Sequence, residues 1–88
     1  MALRIIITGN VQGVFFRTFI RSRANELGLR GLVRNLEDGT VEVIVQGQKE
    51  ALDELLKKCK KGPLIARVDK IETKKVEDQD FSSFEIKY

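Results

Sequence analysis

The hydrophobic period of the chain changes early, across a loop that holds two glycines. Leu3, Ile5 and Ile7 alternate with Arg4, Ile6 and Thr8, the period of a strand, and a run this apolar suits a central strand paired on both flanks. Phe16, Phe19, Ile20, Ala24 and Leu27 then recur three and four apart, which is the buried stripe of a helix that Gly28 is placed to stop. Between the two lies Thr8-Gly9-Asn10-Val11-Gln12-Gly13-Val14-Phe15-Phe16-Arg17. A glycine-bearing turn running into a helix start presents backbone N–H groups without intrahelical acceptors, and the helix dipole adds partial positive charge there. The stretch reads as a cradle for phosphate or sulfate. Arg17 is its informative residue, because a cation in the first turn faces the unfavourable end of the dipole and a bound anion reverses that sign. The alternative is an ordinary strand-loop-helix junction with a solvated arginine. Nucleotide loops do not fit: Gly9 and Gly13 lack the third glycine of the dinucleotide spacing, and no Gly-Lys-Ser/Thr follows. Of the two phenylalanines, Phe16 falls on the helix stripe and Phe15 is expected to close the loop.

The next segments form a hairpin whose register decides what Asn35 can do. With Asp38-Gly39 as a two-residue turn, Asn35 faces Glu42 and looks outward with Val33 and Ile44. With Glu37-Asp38-Gly39 as a three-residue loop and Gly39 left-handed, Asn35 pairs with Val41, Val33 with Val43, and Arg34 with Glu42. The second register gathers Val33, Val41, Val43 and Val45 on one face and sets opposite charges across the other. Asn35 then ends a valine face with an amide that costs about 1–3 kcal/mol if it is left unpaired.

Gly47-Gln48 opens a second helix with its stripe at Leu52, Leu55, Leu56 and Cys59, and Gly62-Pro63 ends it. Lys57, Lys58, Lys60 and Lys61 fall at its end, where they complement the negative pole of the dipole, so they need no nucleic-acid explanation. From Ala66 to Val76 the chain leans to β but Val68 and Ile71 are out of phase, as in an edge strand with a bulge. Asp78 and Asp80 read as a polar turn, and Phe84, Ile86 and Tyr88 alternate as a last short strand. The order is the split βαβ pattern of a ferredoxin-like α+β sandwich: an antiparallel sheet, two helices on one face and an extra C-terminal strand.

Eighty-eight residues suffice for one modest core, so residues 1–88 are expected to form a single domain. Cys59 is the only cysteine, and no leader or long apolar run is present, so the expected setting is a reducing cytoplasm, with no membrane partner. The chain has no histidine, which removes Ser-His and Cys-His nucleophile pairs and histidine metal sites. Chemistry falls to Arg, Lys, Asn, carboxylates or backbone. A net charge of +3 is a weak pull towards anions of any kind.

Two motifs, Gly9-Asn10-Val11-Gln12-Gly13-Val14-Phe15-Phe16-Arg17 and Gly31-Leu32-Val33-Arg34-Asn35-Leu36-Glu37-Asp38-Gly39-Thr40-Val41-Glu42-Val43, stand together with a closing Phe84-Glu85-Ile86. In these residues, and over essentially its whole length, the chain resembles the acylphosphatase family. The resemblance implies a small hydrolase that cleaves the carboxyl-phosphate bond of acyl phosphates without metal or cofactor. Its arginine, carried onto Arg17, holds the phosphate; its asparagine, carried onto Asn35, holds the attacking water. Backbone N–H groups of Gln12, Gly13, Val14, Phe15 and Phe16 complete the expected phosphate loop. Two positions depart from the family pattern, Asn10 where Arg or His is more usual and Leu32 where Trp is frequent, and they bear on substrate preference and loop packing. The expected ligands are a small acyl phosphate and inorganic phosphate or sulfate, bound by a monomer. A non-catalytic ferredoxin-like module, for RNA or a small anion, is the rival: for RNA it should show stacking aromatics on its central strands, which carry Ile and Val instead. A small-anion sensor could use the same cradle, and only turnover separates it from an enzyme.

Overall fold

A computed structural model describes residues 1–88. Its elements are β1 (Ala2–Asn10), α1 (Phe16–Glu26), β2 (Arg30–Asn35), β3 (Val41–Gln46), α2 (Lys49–Lys61), β4 (Arg67–Val76) and β5 (Phe84–Lys87). They build one five-stranded sheet in the order β4-β1-β3-β2-β5. The apolar β1 is paired on both sides, with β3 and with β4, and both pairings are antiparallel. Ile5, Ile7, Val33, Val41, Val43 and Val45 point to one face, where Phe16, Ile20 and Ala24 of α1 and Leu52, Leu55 and Cys59 of α2 close over them in a single core. Fully burying a side chain of this kind is worth about 1.5–3 kcal/mol. No helix is long and apolar enough to cross a membrane.

The hairpin adopts the three-residue loop, with Asn35 opposite Val41, Val33 opposite Val43 and Arg34 opposite Glu42. Gly39 is left-handed at φ 91°, and the Leu36 N–H donates to the Thr40 carbonyl at 2.9 Å to close the loop. Across the outer face, Glu42 accepts from Nε of Arg34 and from Nε of Arg4, each at 2.6 Å. The second arginine comes from a strand that sequence pairing alone does not place beside Glu42.

The irregularity foreseen in the edge strand is a bulge. Pairing steps from Thr8 with Lys70 to Gly9 with Val68, leaving Asp69 unpaired. Gly9 accommodates it because a Cβ there would lie 2.0 Å from the Arg67 carbonyl oxygen.

The four strands β1 to β4 pair antiparallel, and the extra C-terminal strand makes the sheet mixed, since β5 pairs with β2 in parallel. The cause is the path of the chain. The connection from Val76 to Phe84 runs along one end of the sheet, where Gln46 fixes it by donating to the Gln79 carbonyl at 2.8 Å and accepting the Gln79 N–H at 2.9 Å. A strand that starts from that end has the direction of β1 and β2. All three therefore finish at the opposite end, beside the start of α1.

Candidate active site

The loop from β1 into α1 turns through two left-handed residues, Gly13 at φ 72° and Phe15 at φ 61°. Phe15 is the only residue other than glycine with positive φ, a conformation that costs an L-residue about 1–2 kcal/mol. Its carbonyl accepts the Phe19 N–H at 3.0 Å. The first turn of α1 has neither a side-chain cap nor an acidic residue, so its leading amides keep their donors for something outside the helix. Arg17 is half-buried in that turn, and its guanidinium carbon lies 4.9 Å from the centre of the Tyr88 ring. Stacking engages the face of the guanidinium and leaves its in-plane N–H fork available to an oxyanion.

Asn35 closes β2 on the same side. Its Oδ1 is buried and has no hydrogen-bond partner in the protein, against the general rule that buried polar atoms are paired. The amide expected to need a partner thus finds none for this oxygen within the chain.

These groups share a pocket of about 200 Å³ lined by Val11, Gly13 and Phe15 of the loop, Phe16, Arg17 and Thr18 of α1, Asn35, and Ile86 and Tyr88. Arg17 and Asn35 are thereby brought together from separate elements. Of the remaining expected loop residues, Gly13, Phe15 and Phe16 reach the pocket, whereas Gln12 and Val14 do not line it. The Gln12 side chain turns instead towards the hairpin and donates through Nε2 to the carbonyls of Leu36 and Thr40, both at 2.8 Å.

Phe15 does not close the loop onto the core; it is 77% exposed at the pocket rim while Phe16 is 1% exposed. The left-handed backbone at Phe15 accounts for this, because it sends two neighbouring side chains in different directions. Sequence patterning also left Ile86 and Tyr88 out of the site. Their alternation marked a strand, but nothing local showed that this strand lies next to β2.

No group of three or more His, Cys, Asp and Glu side chains is gathered that could hold a metal ion, and Asp78 and Asp80 belong to no such cluster. Burial pushes the Cys59 thiol up to about 12, so it is a neutral core group. Lys58, Lys60 and Lys61 occupy the last turn of α2, and Lys57 reaches Glu54 at 3.4 Å, in keeping with a helix-end role. Neither Asn10 nor Leu32 lines the pocket.

Comparison with known proteins identifies the family. The family model described as Acylphosphatase matches residues 3–86. A protein named acylphosphatase from Archaeoglobus fulgidus is 47% identical over 88 residues, covering 100% of this chain and 99% of the relative. One of the same name from Caldivirga maquilingensis is 48% identical, with 98% and 93% covered. The crystal structure of acylphosphatase from Bacillus subtilis superposes with a TM-score of 0.95 at 34% identity, over 99% of this chain and 98% of that one.

Proposed function

This chain belongs to the acylphosphatase family, whose enzymes hydrolyse acyl phosphates, and from that premise we propose which of its residues carry the reaction. The backbone of the Gln12–Phe16 loop, which lines the pocket at Gly13, Phe15 and Phe16, and the fork of Arg17 hold the phosphoryl oxygens. Arg grips two of them at once where Lys offers a point charge. Asn35 orients the attacking water.

The observation that carries this is the buried, unpartnered Oδ1 of Asn35 in the pocket that also holds Arg17. An acceptor without a donor suits a water O–H. A water held there and a phosphoryl group held by Arg17 and the first-turn amides face each other across one small cavity.

The steps balance without an ionising protein base. Water oxygen forms a bond to phosphorus in line with the carboxyl oxygen, the P–O bond to that oxygen breaks, and the carboxylate leaves with the electron pair. One water proton passes to a phosphoryl oxygen, so the products are a carboxylate and dihydrogen phosphate. Such phosphoryl transfer asks mainly for positioning and charge stabilisation. The leaving carboxylate is already a weak base, and the donors around the phosphate spread its charge. The same cradle accounts for inorganic phosphate or sulfate as bound anion. We further place the enzyme, as one domain over residues 1–88 and as a monomer, in a reducing cytoplasm, which its single buried thiol suits.

The test is release of inorganic phosphate from a model acyl phosphate by the parent and by Asn35→Ala, with thermal stability followed in parallel. Asn35→Ala should lose about 10²–10³ in kcat, the scale of removing one preorganised polar group, with inhibition by inorganic phosphate nearly unchanged. A folded Asn35→Ala enzyme with parental kcat would remove Asn35 from the reaction.

A further inference from the structure

The proposed roles of Arg17 and Asn35 raise the question of what fixes one relative to the other. Arg17 follows the loop after β1, and Asn35 ends β2. These strands are not neighbours, because β3 lies between them. In-line attack needs the two reacting atoms about 3–3.5 Å apart, and misplacement by about 1 Å can cost on the order of 10²-fold in rate. General core packing sets the strands; the loop, with two left-handed turns and much of its surface in solvent, needs a tie of its own.

We propose that the Gln12 side chain is that tie, a positioning residue that sets the phosphate loop against the water-holding hairpin. Resting as it does on the roles given above to Arg17 and Asn35, it adds to them a side-chain amide that itself touches neither substrate nor water. Gln12 directly precedes Gly13, and its carboxamide leaves the loop to reach the hairpin mouth. There Nε2 donates to the Leu36 carbonyl, one residue beyond Asn35, and to the Thr40 carbonyl, both at 2.8 Å. The Thr40 carbonyl also accepts the Leu36 N–H at 2.9 Å, so Gln12 bonds to the pair that closes the hairpin loop.

Both hydrogens of the amide nitrogen are used, so the side chain is held in orientation as well as position. No other side chain of the loop between β1 and α1 hydrogen-bonds to the hairpin. A glutamine here is a specific choice. Glutamate has the same length but offers two acceptors to two carbonyls, and methionine keeps the shape and loses both donors.

Gln12→Met and Gln12→Glu, each in the parent and in the Asn35→Ala background, separate positioning from support of the fold. Melting temperature, kcat, and the inhibition constant of inorganic phosphate are the readouts. In the parent, kcat should fall about 10- to 100-fold, while phosphate inhibition changes less than about threefold, because the cradle itself is intact. In the Asn35→Ala background the same substitutions should lower kcat by no more than about twofold, since the group they place is already gone. For Gln12→Glu, the ratio of variant to parent kcat should rise as pH is lowered, when the carboxyl takes a proton and recovers one donor.

Parental kcat in both folded variants would overturn the proposal, as would an equal loss in both backgrounds or phosphate inhibition weakened as much as kcat. Failure of both variants to fold would overturn it as well, by making the bond structural. These results are distinct from failure of the Asn35 assignment, which Asn35→Ala alone reveals.

Discussion

Arg17 is poorly placed for folding, and the role proposed for it supplies a reason. It sits in the first turn of a helix that carries no acidic residue there and no side-chain cap, so its charge opposes the dipole, a cost that the proposed phosphate ligand would reverse. Its stacking on Tyr88 at 4.9 Å partly offsets this by holding the guanidinium over an aromatic face, an interaction worth about 0.5–1 kcal/mol when exposed. On the role proposed for it, the fork meets phosphate in both ground and transition states, so Arg17→Gln should weaken phosphate inhibition and turnover together. Arg17→Lys should restore neither, since an ammonium lacks the planar pair of donors. Steady-state kinetics with inorganic phosphate as inhibitor reads both effects, and recovery of parental turnover in Arg17→Lys would show that charge alone suffices. That Arg17 stands in the first turn of a helix behind a glycine-bearing loop was visible in the sequence. That Tyr88 lies against it was not, since 71 positions in sequence separate them and only the sheet order closes that gap.

The hairpin of β2 and β3 joins the core to the candidate site in one element. Its inner face is the valine set of the core, its tip carries Asn35, and its outer face carries Glu42 between Arg4 and Arg34. Burial on its own would raise the Glu42 carboxyl, but the hydrogen bonds and charges of the two arginines outweigh it and hold the group below its ordinary value of 4.5. A depressed carboxyl contributes stability above its unfolded-state value and loses it as pH falls through the folded-state value. Glu42→Gln should therefore cost about 1–2 kcal/mol near neutral pH, the lower end reflecting arginines whose side chains are 41% and 52% exposed and can rehydrate. The gap between parent and variant should close as pH drops below the ordinary carboxyl range. Urea unfolding across that range measures it, and a gap independent of pH would mean that packing, not charge, is what Glu42 supplies.

At the scale of the whole molecule, the pocket contains an arginine, an asparagine, a threonine and a tyrosine among apolar groups, and no carboxylate or thiol. Chelation should accordingly leave phosphate release intact, and activity lost to a chelator but restored by a divalent ion would sink the mechanism. A thiol reagent should label native Cys59 only as fast as the protein opens, because burial pushes that thiol up to about 12. Rapid labelling at neutral pH, followed by stopped spectroscopic assay, would contradict its place in the core. The residues by themselves determined the succession of strands and helices, the hairpin register and the edge bulge, because hydrophobic period, turn chemistry and cross-strand charge act between near neighbours. They also pointed to Arg17 and Asn35 through family likeness. Tertiary structure decided the rest: the parallel direction of β5, the exposure of Phe15, the arrival of Ile86 and Tyr88 at the pocket, and the turn of Gln12 towards the hairpin. Each depends on which strand lies beside which and on where a left-handed residue sends its side chain, and neither is written in local periodicity. Asn35 shows both sides, since its place at the end of a buried face followed from register, whereas only the packed fold decided that its oxygen would be left without a protein donor.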